Sequence, residues 1–86
     1  MMKYYEIEGL DFKFKTLYEA KNMLRKTLES ESNYEYFANK NNTYAILEVL
    51  YDEKDDYYTF NEILPRITVS NYKNMTYEEK EKYFNN

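Results

Sequence analysis

Residues 43–64 read TYAILEVLYDEKDDYYTFNEIL. From 44 to 50 every residue except Glu48 is apolar, the pattern of a well-buried strand central in its sheet. Four carboxylates then fall within five positions, Asp52, Glu53, Asp55 and Asp56, interrupted by Lys54. A second run rich in aromatic and aliphatic residues follows, so the stretch predicts a β-hairpin. Loop length decides its register, because a slip of one residue turns every side chain to the other face. With Glu53 to Asp56 as a four-residue loop, Tyr51 opposes Tyr58, Val49 opposes Phe60 and Ala45 opposes Leu64 on one face. The other face then pairs Asp52 with Tyr57, Leu50 with Thr59, Glu48 with Asn61 and Ile46 with Ile63. A five-residue loop would set Val49 against Thr59 and Leu47 against Asn61, mixing apolar with polar. The four-residue loop is therefore expected, with the carboxylates at the hairpin tip.

Working outward, KYYEIEGLDFKFK (3–15) predicts an N-terminal hairpin. A II′ turn at Gly9-Leu10 would place Ile7 opposite Phe12 and Tyr5 opposite Phe14, leaving Tyr4, Glu6, Glu8, Asp11, Lys13 and Lys15 on the other face. TLYE (16–19) fits a helix-starting capping box. Leu17, Ala20, Leu24 and Leu28, with Met23 beside them, recur at helical spacing, while Lys21, Arg25 and Lys26 lie away from that stripe. The polar ESESN should end the helix near Glu29 to Ser32. Tyr34 to Ala38 reads as a short strand or a helical turn, followed by an Asn-rich turn at 39–42. Pro65 closes the second long strand or marks a sheet edge, and RITVS (66–70) reads as one more short strand. TYEE (76–79) is a second capping box, opening a C-terminal helix in which Tyr77, Phe84 and Tyr83 offer apolar contact. The order ββα, then two or three strands, then a helix, predicts one α+β domain: a mostly antiparallel sheet of four to five strands with helices on one face.

Composition narrows the chemistry. The 86 residues include twelve Tyr, five Phe and ten Asn, one Gly and one Pro, with no Cys, His or Trp. A domain of this size buries about 60 to 70% of its unfolded surface, so a deep active-site cavity would compete with the core. Aromatic content of 20% argues against disorder. Without Cys there is no disulfide or thiolate nucleophile, and without His the commonest general base and metal ligand is missing. There is no apolar run of 18 residues, and MMKYYEIEG has no apolar signal region, so a cytoplasmic protein without a membrane partner is expected. The net charge of −4 is unevenly spread: residues 29–64 carry two basic and nine acidic side chains. Such a segment repels a phosphate backbone and suits a basic protein surface.

The acidic tip is the candidate site. An EF-hand loop starting at Asp52 needs Gly at its sixth position and Glu at its twelfth, and Tyr57 and Ile63 stand there, so no calcium loop of that kind forms. No metal and no cofactor are expected, and the bland reading is a solubilising turn. Tyr51, Tyr57 and Tyr58 beside Asp52, Glu53, Asp55 and Asp56, with Glu48 further down the strand, combine charge with rigid amphipathic rings, a mixture that anchors protein interfaces. Direct nucleic-acid binding is not expected. A sheet with stacking aromatics and a helix bearing Lys21, Arg25 and Lys26 could serve it, but the acidity lies on the presumed sheet and no RNA-binding motif is present. Catalysis has less support still: Glu48 is the one acid-base candidate, the three serines have no base partner, and Gly9 alone cannot build a phosphate loop.

In size, lack of Cys and His, richness in Tyr and Asn, and acidic middle segment, the chain resembles the small acidic proteins with which phages and other mobile elements of AT-rich bacteria disable host enzymes, the anti-CRISPR and anti-restriction proteins. The resemblance implies stoichiometric inhibition in the host cytoplasm. The carboxylates of 52–56, helped by Glu29, Glu31, Glu35 and Glu48, would enter a basic groove meant for DNA or RNA while tyrosines fill apolar pockets. The alternatives are a small structural or regulatory homodimer joined through a sheet edge or tyrosine face, and a single-stranded nucleic-acid binder.

Overall fold

The computed structural model describes residues 1–10, 12–29 and 43–85. The elements run β1 (Met2–Glu8), β2 (Lys13–Phe14), α1 (Leu17–Glu29), β3 (Thr43–Asp52), β4 (Tyr57–Thr68), α2 (Val69–Lys73) and α3 (Tyr77–Phe84). The four strands form one antiparallel sheet in the order β2-β1-β3-β4, an α+β architecture with β3 inside as its apolar run requires. The expected Tyr34–Ala38 element and the 39–42 turn lie outside the described residues.

One face of the sheet carries the helices. Tyr5, Ile7, Tyr44, Ile46, Leu64 and Ile67 from the strands pack with Ala20, Leu24 and Leu28 of α1 and with Val69, Tyr72, Tyr83 and Phe84 in a single hydrophobic core. Burying an aliphatic side chain of this kind contributes about 1.5–3 kcal/mol, so the α1 stripe and its strand partners dominate the stability. The Thr16 hydroxyl accepts from the Glu19 amide as expected, but it also donates to the Glu19 carboxylate at 2.9 Å. The reciprocal bond therefore joins two side chains. Around Thr76 the capping box is complete, with Glu79 accepting from the Thr76 amide.

The hairpin register is the expected one from the tip as far as Glu48↔Asn61. Beyond it the structure corrects the expectation: Ile46 pairs with Leu64, and register shifts on either side of Ile46 take up the extra residues of β4. Ile63 is the residue passed over. Leu64 goes to the core face beneath the helices, and Ala45 does not oppose it. In the N-terminal hairpin Tyr5 faces Phe14 as expected, but Ile7 and Phe12 do not pair. The Leu10 amide donates to the Ile7 carbonyl across Glu8-Gly9, and Gly9 at φ 100 occupies the third position, as in a type II turn. RITVS is not a separate strand. Residues 66–68 continue β4 through Pro65, and the Thr68 hydroxyl accepts from the Asn71 amide to start α2.

Two side chains of the helices depart from expectation, and a third meets it. Arg25, expected on the outer face, donates to Glu81 at 3.2 Å and lies 4.4 Å from the centre of the Phe84 ring, clamping α1 to α3. Tyr77 stays in solvent. Tyr83 is buried as expected, and its hydroxyl donates to the Pro65 carbonyl at 2.7 Å, satisfying a strand acceptor where proline interrupts the donors.

Candidate partner-binding surface

Ladder partners share a face, so the registers of β1, β3 and β4 define rows across the sheet. On the side away from the helices, four rows run from the tip inward. Met2, Tyr51 and Tyr58 form the first, then Tyr4, Val49 and Phe60, then Glu6, Leu47 and Glu62. In the fourth, Glu8 is paired with Ala45, and Arg66 reaches back across Ala45 to bind the Glu8 carboxylate with both guanidinium nitrogens, the longer bond being 2.8 Å. Ala45 is fully buried beneath that bridge. The guanidinium lowers the Glu8 pKa below the usual carboxylate range.

The two outer rows make an apolar patch. Val49 is fully buried, although among the described residues no helix covers it, because the register sets it between Tyr4 and Phe60. The side chains around it remain open: Met2 is 54% exposed, Tyr58 48% and Phe60 55%. Tyr51 and Tyr58 lie tilted against each other with centroids 4.6 Å apart, and Phe60 stacks with Tyr58 at 6.2 Å. Such contacts contribute about 0.5–1.5 kcal/mol each and hold the rings in place before anything binds.

Acid brackets the patch. Inward lie Glu6 and Glu62 of the third row, and outward lies the tip. Within the tip, Asp52 accepts from the Lys54 amide at 3.0 Å, an Asx turn, and Asp56 takes a positive φ of 50. The Tyr51 hydroxyl donates to Asp56 at 2.9 Å, tying the ring stack to the loop. That bond is the main cause raising the Tyr51 pKa, with burial and the neighbouring Tyr58 and Asp52 adding to it.

The eight residues expected at the site are thus divided. Tyr51 and Tyr58 lie on the ring face, and Glu53, Asp55 and Asp56 lie at the tip. Asp52 closes the tip as the ladder partner of Tyr57, and both share the opposite face with Glu48, which stands between Tyr5 and Asn61. The four residue steps from Glu48 to Asp52 correspond to about 13 Å along the strand, so Glu48 is not part of the tip. Phe60, Tyr4, Met2 and Val49 were missed. The alternation of β3 and β4 already carried Phe60 and Val49, but placing Tyr4 and Met2 beside them required the β1–β3 pairing. Among the described residues no three carboxylates converge as a metal site, and no helix is long and apolar enough to cross a membrane. A cleft of about 300 Å³ between α1 and the last two helices is lined by Leu28, Glu29, Tyr72, Lys73 and Lys80. Inside it the Tyr72 hydroxyl donates to Glu29 and Lys80 lies over the Tyr72 ring.

Comparison of the chain with protein-family models, with curated proteins and with solved structures finds no match.

Proposed function

We propose that the chain is a non-enzymatic protein-binding module, acting as a stoichiometric inhibitor of a nucleic-acid-handling host enzyme. The observation that carries this reading is the ring patch bracketed by carboxylates at both ends. Its complement is an apolar floor with basic residues on its rim, a combination common where proteins grip nucleic acid through bases and phosphates. The rings supply contact area at low entropic cost, and the tip supplies charge that steers the encounter and sets its salt dependence. A net charge of −4 favours a local plug over imitation of a long duplex. Direct nucleic-acid binding loses support because Arg25 is held by Glu81 and Phe84 and is not presented with Lys21 and Lys26.

The test is affinity capture from a low-GC bacterial lysate with mass spectrometry. The native chain is compared with a variant carrying Asp52→Asn, Glu53→Gln, Asp55→Asn and Asp56→Asn, the oligomeric state of both measured by light scattering. Recovery of a nuclease or polymerase by the native chain alone, followed by one-to-one titration of its activity, is the expected result. Equal capture by both forms would rule out the acidic plug. Recovery of only the protein itself would favour the homodimer, and a shift of labelled single-stranded oligonucleotide at low salt would favour the nucleic-acid reading.

A further inference from the structure

The outer edge of β4 has two unlike halves. From Glu62 onward it carries the devices that discourage strand addition, namely charge at Glu62 and Arg66, the register shifts around Ile63 and the proline at 65. Tyr57 to Asn61, YYTFN, has none of them: no charge, no proline and no bulge. Among the described residues no strand pairs with this edge, and all five of these residues are exposed. An uncharged edge rich in β-forming residues is a ready template for another strand.

Charge at the ends of the run decides what the template fits. Asp56 precedes it and Glu62 follows it, separated by about 20 Å of extended chain. A second copy of the chain is a poor occupant. The antiparallel self-pairing that keeps the whole run paired centres on Thr59 and sets Asp56 against Glu62 at both ends, and any other centre shortens the ladder. An extended segment with a basic residue at each end and β-forming residues between them meets opposite charge at both ends instead. Its alternate residues lie beside Tyr58 and Phe60 and extend the ring face.

We infer that Tyr57–Asn61 of β4 is a strand-addition edge for a partner's extended segment bearing Lys or Arg about six positions apart. This deepens the proposed function by naming how the partner is held, and it rests on that reading for the partner's identity alone.

The test is an NMR titration of the isotopically labelled full chain with the peptide Lys-Val-Thr-Val-Thr-Val-Lys and with its counterpart bearing Glu at both ends. The expected result is amide shifts and slowed hydrogen exchange confined to 57–62, with the Lys peptide binding about tenfold more tightly. Asp56→Asn with Glu62→Gln should bring the two peptides close together, with changes in the free spectrum limited to the substituted sites and to Tyr51, whose hydroxyl loses its carboxylate acceptor. No shift with the Lys peptide, shifts centred elsewhere, or equal response to both peptides overturns the inference. So does concentration-dependent protection of the same amides without peptide, which would assign the edge to a second copy. Peptide binding with no nucleic-acid enzyme captured would leave the edge standing and remove the inhibitor, and tip-dependent capture without peptide binding would do the reverse.

Discussion

Gly9 is held where another residue meets two obstacles at once. At φ 100 it occupies the left-handed region, and an added Cβ would lie 2.9 Å from both the Thr43 carbonyl oxygen and the Tyr44 ring. Gly9→Ala is expected to cost about 1–3 kcal/mol, read as a lowered urea midpoint. The lone glycine was legible as a turn, but which bond it follows depends on β3 lying against it, and that neighbour is far away in sequence. The buried phenols behave differently. Burial, then the Glu29 charge and hydrogen bond, push the Tyr72 pKa up to about 12, and burial pushes Tyr83 up as well. A raised folded pKa means the stabilisation is complete below the unfolded value near 10 and is lost as pH rises through the folded one. Tyr72→Phe should therefore lose about 0.5–1.5 kcal/mol at neutral pH with the Glu29 bond, yet shift alkaline unfolding to higher pH, followed by circular dichroism.

Among the elements, the β3–β4 hairpin shows how far periodicity carries. Its loop was legible because only one register sorts rings from polar groups over Glu48 to Asp52. Past Ile46 the two candidates for the core, Ile63 and Leu64, are equally apolar, so alternation alone could not say which faces inward. Packing beneath α1 chose Leu64. Leu64→Ala is expected to cost about 2–5 kcal/mol and Ile63→Ala distinctly less, measured by chemical denaturation, and equal losses would contradict the register shift. RITVS misled for a related reason: β-branched residues favour a strand, but the Thr68 hydroxyl caps a helix turn whose Val69 and Tyr72 complete the core. Arg25 could not be placed from α1 alone, since its partners Glu81 and Phe84 belong to α3.

For the whole molecule, the four tip carboxylates equal the net charge of −4. Replacing all four by amides should leave the melting temperature nearly unchanged, because the loop is exposed, while solubility falls as the net charge reaches zero. Calorimetry and turbidity read these separately. The fold class was legible throughout because each hydrophobic run has one period. The binding surface was legible only in part, because Tyr4 and Met2 come from β1, whose place beside β3 no local pattern dictates. The bond from Tyr51 to Asp56 has an optical consequence. The chain has no tryptophan, so tyrosine emission is not masked, and Tyr51 is coupled directly to a carboxylate of the tip. A cation drawn to Asp56 should weaken that acceptor, lower the Tyr51 pKa and change its fluorescence, giving an unlabelled signal of occupancy. Tyr51→Phe should abolish that signal.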